Sequence, residues 1–328
     1  MKLKVVLIGL GAWGNNFIRL IQSNNHLFEL VATVEPKSNG INNIKNFSDL
    51  NELINSNVIF DAAIITTPTA THYDLVLELL KIKKHCLVEK PITTNLKEAI
   101  KLYDFALKNK LEILVDHTFL YDPSMTYIKN IISKKALGEL LHISFERTNF
   151  GPIRYDVSAI WDLATHDISI LSALFEFLPT DINSTGLATI NKNLPDVVNT
   201  SMFYGDIFVS LTTSWLHPEK SRKIKIVGTK KMLIWDSMSN ENEIKIFDKT
   251  LKNDSNSKYD LFTNIKYASN GKIVSPHIKK EEPLNNVLID FYNRIAGNSS
   301  NLINTKSLTL RTIETLALID KKMLIKNK

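Results

Sequence analysis

The sequence predicts an α/β domain with a parallel, doubly wound sheet over residues 1–118, followed by an α+β domain over 119–328 built on a largely antiparallel open sheet. Three observations predict it. An apolar run, a glycine-rich turn and a helical pattern follow one another within residues 5–21. Apolar runs then alternate with amphipathic stretches as far as His117, the pattern of βαβ units. Beyond about residue 120 that alternation gives way to successive strand-like runs joined by short turns. A length of 328 residues suits two domains.

The first strand, Val5–Ile8, meets Gly9, Gly11 and Gly14 in VVLIGLGAWG. Gly9 permits a sharp turn, Gly11 lets a pyrophosphate approach the backbone, and Gly14 lets the next helix pack closely on the strand. Ala12 and Trp13 open that helix, whose free N–H groups and partial positive charge favour a phosphate. A second apolar run, Leu30–Val34, ends in Glu35. That acid stands about 20 residues past the last glycine, where a carboxylate accepts bonds from an adenosine ribose. The combination points to a dinucleotide site of the Rossmann type; a glycine turn of some other α/β protein is the alternative. A carboxylate at Glu35 repels a 2′-phosphate, which favours NAD(H) over NADP(H). Lys37 and Ser38 offer the opposing contacts.

An Asn-, Pro- and Gly-containing loop follows, then a helix with Ser48 as its N-cap. Residues 58–67 read as a buried strand ending at Thr66, Thr67 and Pro68. His72 closes TPTATH and starts a helix with Leu75, Leu79 and Ile82 on one face. CLVEKP supplies another strand and its exit, NLKEAIKLYDFALKNK a helix, and LEILVDH the last strand of the domain. The special residues Gly9–Gly14, Glu35, Thr66–Pro68, Glu89–Pro91 and Asp116–His117 all fall at strand ends, where ligands of such sheets bind.

In the second half, HISFERTNF, DINSTGLATI, DVVNTSMFY, DIFVSLTTSWL, RKIKIVGTKK, KMLIWDS and EIKIFD read as strands, with a hairpin turn at Tyr204–Asp206. One face of that sheet is expected under a helix. The other, with Phe208 or Trp215 exposed, is a candidate surface for homo-oligomers. Two helical stretches, 283–297 and 307–325, end the chain.

The net charge of +6 is scattered, and only the tail KKMLIKNK is locally basic, as a solvated helix end would be. No nucleic-acid arm is expected. The single cysteine, Cys86, forbids an intrachain disulfide and reads as a buried thiol. With no signal-peptide pattern and no apolar run of transmembrane length, a cytoplasmic protein without membrane contact is expected. The eight histidines form no metal-binding pattern, so no metal is expected.

Two groups carry the chemistry. Pro91 ends a strand and biases Lys90 away from helical geometry, so its ammonium can point into the cleft; a surface loop lysine is the bland alternative. Asp162 and His166 are four apart in DVSAIWDLATHD and share a helical face. Such a pair orients the imidazole and leaves its other nitrogen for a proton; an incidental ion pair is the competing reading.

The GLGAWG turn, TPTATH, EKP, VDHTFLYDP and NFG…RYDVSAIWDLATHD resemble the glucose-fructose oxidoreductase / inositol dehydrogenase / MocA family, and its bacterial surface-polysaccharide members in particular. The resemblance implies an NAD-dependent oxidoreductase moving a hydride between nicotinamide and a hydroxyl-bearing carbon of a sugar or nucleotide-activated sugar, in surface-glycan biosynthesis. It implies that Lys90 hydrogen-bonds the substrate hydroxyl, that His166 is the acid/base, and that Asp162 orients it. On the cofactor side, Glu89 orients the loop rather than acting on substrate, and His72 either caps the next helix or lines the nicotinamide pocket; His117 and Tyr121 line the cleft or are structural. Arg147, Asn149 and Arg154 lie before the catalytic helix. The two arginines suit a phosphate or carboxylate, hence a nucleotide-activated sugar. An NAD-dependent glycosidase or lyase with transient oxidation, and a non-catalytic NAD-binding sensor, are the alternatives.

Overall fold

A computed structural model describes residues 2–37, 41, 43–239, 243–248, 271–298 and 303–328. Ser38, offered above as a phosphate contact, lies outside the described residues. The chain falls into two compact units, Met1–Tyr121 with Ile168–Ala173 and Glu281–Ala317, and Asp122–Asp167 with Leu174–Lys280 and Leu318–Lys328.

The first unit begins β1 (Leu3–Ile8), α1 (Ala12–Ser23), β2 (Phe28–Val34), β3 (Lys45–Phe47), α2 (Leu50–Ile54) and β4 (Ala62–Ile65). It continues α3 (His72–Lys81), β5 (His85–Val88), α4 (Leu96–Lys108) and β6 (Ile113–Val115). The six strands form one sheet in the order β3-β2-β1-β4-β5-β6, all pairs parallel. Strand order reverses between β1 and β4, so the switch point opens beside the glycine turn. β1, β4 and β5 are almost wholly buried, as a sheet covered on both faces requires.

Several local expectations are corrected. The cap of α2 is Asp49, which accepts from the Glu52 N–H at 2.9 Å, while Glu52 reaches back to the Ser48 N–H at 2.7 Å. Ser48 is therefore one residue outside the helix, in a reciprocal capping arrangement. β4 covers only the end of the 58–67 run, since Ile59 is 75% exposed. The buried face of α3 is His72, Val76, Leu79 and Leu80, not the 75–79–82 stripe. β3 was not foreseen; three residues in an Asn-rich stretch carry too little periodicity to show.

The second unit holds α5 (Pro123–Ser133), β7 (Leu140–Phe150), a π-helical turn (Ile160–Ala164) and the start of α6 (Thr165–Leu174). Then come β8 (Thr180–Ala188), β9 (Val197–Tyr204), β10 (Ile207–Ser214), β11 (Leu216–Gly228), β12 (Met232–Asp236), β13 (Ile244–Phe247) and β14 (Ile273–Val274). α7 (Pro283–Ile295) and most of α8 (Lys306–Lys322) return to the first unit, and β15 (Met323–Asn327) closes the chain in the second. The nine strands run β14-β13-β12-β11-β7-β10-β9-β8-β15. Pairing is antiparallel except β10 with β7 and β15 with β8. The β9–β10 hairpin turns through Gly205 and Asp206, with Gly205 at φ +60.

Three expectations fail here. The tail is not a helix end: Met323–Asn327 adds a parallel edge strand to β8, satisfying backbone groups that would otherwise face solvent. Trp215 is 1% exposed rather than on a free face, whereas Phe208 is 37% exposed. The helix carrying Asp162 does not run as α-helix throughout, because Ile160–Ala164 is wound as a π turn.

Candidate active site

In the first unit the residue following each long parallel strand is locked to its neighbour. The Gly9 N–H donates to Val34 O at 2.9 Å, Thr66 to Ile8 O at 2.8 Å, Glu89 to Ile65 O at 2.9 Å and Asp116 to Val88 O at 2.8 Å. Strand register thus sets Gly9, Thr66, Glu89 and Asp116 side by side on one edge of the sheet.

The glycine turn has the shape a dinucleotide needs. Gly9 sits at φ +96, a conformation other residues rarely adopt. A Cβ on Gly14 would lie 2.2 Å from Gly9 O, so only glycine lets α1 seat on the turn. A Cβ on Gly11 would meet nothing within 4 Å, which leaves the space a pyrophosphate would fill. Gly11 caps α1 with no side-chain acceptor, so the first N–H groups stay available. The Thr66 hydroxyl braces the turn by donating to Gly9 O at 2.8 Å. Glu35 accepts from the Leu10 N–H at 3.1 Å and the Lys37 N–H at 3.3 Å, holding its carboxylate beside the turn. Ala12 and Trp13 are exposed at the start of α1. These residues fit an NAD-type dinucleotide.

Beside this turn, His72 is 1% exposed, with Nδ1 2.8 Å from Pro91 O and Nε2 2.8 Å from Thr67 O. The ring bridges two backbone carbonyls. It straps the Thr67–Pro68 segment to the Lys90–Pro91 segment. Lys90 is 8% exposed, an unusual burial for an ammonium. Around it, burial and the facing Asp116 carboxyl push Glu89 well above the usual carboxylate range, and burial pushes Asp116 up. His117, buried and close to the Lys90 charge, is pushed down to about 3 and is a neutral imidazole near pH 7. Its Nε2 lies 3.5 Å from the Thr309 hydroxyl. The Tyr121 hydroxyl donates to Asp290 at 2.6 Å, and burial followed by that carboxylate raises it.

In the second unit, Asp162 is held from two directions. Arg154 Nη1 reaches Oδ1 at 3.2 Å and the Trp215 indole N–H reaches Oδ2 at 3.2 Å. Arg154 also grips Asp156, at 2.5 Å and 2.9 Å. His166 is half-buried at the first turn of α6, just past the π turn. Arg147 and Asp167 form a buried ion pair, Nη2 to Oδ1 at 2.7 Å, with side chains 4% and 3% exposed. Arg147 is thus engaged by Asp167, with Arg222 also close to that carboxylate, a partnership that local spacing does not reveal. The Asn149 side chain lies over Gly151, where a Cβ would meet its Nδ2 at 2.2 Å. The contact of Trp215 with Asp162 is one that sequence reasoning passed over, since it joins residues 53 apart in the chain.

No group of His, Cys, Asp and Glu among the described residues is arranged to hold a metal. No helix among them is long and apolar enough to cross a membrane. A cavity of about 680 Å³ in the first unit is lined by Tyr103, Leu107, Leu111, Arg294, Leu310 and Arg311 among others, and by none of the site residues named from sequence.

This chain belongs to the GFO/IDH/MocA oxidoreductase family. Residues 3–117 match the family model described as "Oxidoreductase family, NAD-binding Rossmann fold" and residues 125–234 match "GFO/IDH/MocA C-terminal domain". The chain is 25% identical over 181 residues to UDP-N-acetylglucosamine 3-dehydrogenase of Acidithiobacillus ferrooxidans, covering 55% of this chain and 56% of that protein. It is 25% identical over 193 residues to the scyllo-inositol 2-dehydrogenase (NADP(+)) IolW of Bacillus subtilis, 55% and 52% of the two chains. The chain thus matches about half the length of these curated relatives. The solved structure of the Acidithiobacillus ferrooxidans enzyme shares the fold with a TM-score of 0.79 at 19% identity, over 98% of both chains.

Proposed function

We propose that this protein is an NAD-dependent oxidoreductase that moves a hydride between nicotinamide and a hydroxyl-bearing carbon of a sugar, one carried on a nucleotide, in surface-glycan biosynthesis. The observation that carries the reading is the buried Lys90 on the strand edge that also bears the glycine turn. The nicotinamide, when bound, supplies the hydride acceptor or donor.

The chain's own residues do the rest. The Lys90 ammonium stabilises negative charge developing on the substrate oxygen, and a low-dielectric setting strengthens that effect. His166 takes or returns the hydroxyl proton. Asp162, fixed by Arg154 and Trp215, holds the acid/base end of the site in one orientation. Glu35 disfavours a 2′-phosphate, which supports NAD over NADP. The nucleotide-sugar substrate is supported by the named activity of the Acidithiobacillus ferrooxidans relative and by Arg154 on the loop before the π turn.

The test is turnover on a panel of UDP-, GDP- and dTDP-sugars followed by NADH absorbance, with Lys90→Ala and His166→Ala compared on whichever substrate is accepted. A loss of roughly 10²–10⁴-fold in each variant is expected. Full turnover in both would refute the assigned roles.

A further inference from the structure

A pair of acids beside Lys90 has no obvious use in the chemistry above. β5 and β6 run parallel with Val88 opposite Val115, so Glu89 and Asp116 leave the sheet as neighbours. They are 7% and 1% exposed. Each carboxyl has one oxygen with a donor: the Lys90 backbone N–H reaches Glu89 Oε2 at 3.2 Å, and the Thr118 hydroxyl reaches Asp116 Oδ1 at 2.6 Å. The remaining oxygens, Glu89 Oε1 and Asp116 Oδ2, are buried and receive no donor. The adjoining strand ends bring the two carboxyls together, and the Asp116 carboxyl raises Glu89. Two buried acceptors set face to face repel unless a proton sits between them.

We propose that Glu89 and Asp116 share one proton between Oε1 and Oδ2 at neutral pH, forming a buried monoanion that positions the Lys90 ammonium. One negative charge balances one ammonium; two would leave a net buried charge in a sheet edge that water does not reach. Of the other titratable groups nearby, His117 is neutral and adds no charge, and the His72 ring is taken up by the Pro91 and Thr67 carbonyls; Thr118 contributes only its hydroxyl. Burial first and the facing carboxyl second raise Glu89, against the opposing pull of Lys90. The same pair would keep the Lys90 side chain directed from one side, while His72 fixes the backbone on the other.

The proton sharing stands on the register, burial and unpartnered oxygens of the pair; the positioning role rests on the reading of Lys90 as the oxygen-binding group. The test therefore has separate readouts. Infrared difference spectra at pH 7 between the wild type and Glu89→Gln, and between the wild type and Asp116→Asn, are expected to show loss of a protonated carboxyl C=O band in each variant. A wild-type band that shifts in D₂O gives the same answer without any variant. Difference spectra lacking that band in both variants, or no acid band shifting in D₂O, would overturn the shared proton.

Stability supplies a second arm. The folded pair keeps its proton above the pH where an unfolded carboxyl, with a pKa of about 4, has lost it. Stability present at acid pH is then lost as pH rises through the folded value. The Tm of the wild type should fall more between pH 5 and pH 8 than that of Glu89→Gln; parallel curves would count against sharing. The positioning role is read from the pH profile of kcat/KM, which should shift in Glu89→Gln, and superimposable profiles would remove it. Failure of Lys90→Ala to affect turnover would sink the catalytic reading and leave the infrared band where it is.

Discussion

Lys90 and the groups around it carry their function through burial. An ammonium at 8% exposure costs far more to desolvate than a surface lysine, and the proposed role at the substrate oxygen gives that cost a use. The Arg147–Asp167 pair illustrates the opposite use of burial. Asp167→Asn leaves the guanidinium buried and uncompensated, a change that costs about 3–5 kcal/mol, and a marked drop in Tm should follow. Glu139→Gln is the control: its partner Lys135 and it are both 73% exposed, and no measurable Tm change is expected. An equal response from the two would contradict the assignment of stability to the buried pair. At Glu35, calorimetric titration should find NADH bound more tightly than NADPH, and Glu35→Ala should narrow the gap. Tighter NADPH binding by the wild type would reverse the cofactor assignment.

The elements show which features announce themselves in a sequence. The glycine turn was legible because backbone geometry dictates residue type: φ +96 at Gly9 and a 2.2 Å clearance at Gly14 admit little else. The same facts predict that Gly14→Ala forces the turn and α1 apart. It should cost about 1–3 kcal/mol by overpacking and abolish detectable NADH binding by titration calorimetry. Normal binding in that variant would mean that the turn does not cradle the cofactor. The parallel strands were legible because burial on both faces leaves continuous apolar runs. The π turn at Ile160–Ala164 was not, since apolar spacing at 160, 163 and 168 fits an α-helix equally well. β15 was missed for a related reason. Met323–Asn327 continues a helical pattern in sequence, and only the open edge of β8 draws it into a strand. Glu89 with Asp116, Trp215 with Asp162 and Asp167 with Arg147 are pairings of sheet register and distant loops, which local periodicity does not encode.

At the scale of the molecule, the chain is two units, each with its own sheet, and the family assignment spans both. Three rings of the second unit lie together: Phe208 stacks on His142 at 5.4 Å between centroids and meets Phe203 at 5.3 Å with the rings tilted. Clustered aromatic surface of this kind supports self-association through the nine-stranded sheet. Light scattering should give a multiple of 37.2 kDa, and Phe208→Glu should lower that mass; a monomer in the wild type would contradict it. Lys90 belongs to the first unit and His166 to the second. A crystal structure with NADH and an accepted nucleotide-sugar tests the proposed function directly. The account predicts Lys90 Nζ and a His166 ring nitrogen each within hydrogen-bond distance of the same substrate oxygen, with the nicotinamide alongside. A bound sugar whose reacting oxygen touches neither group would contradict it.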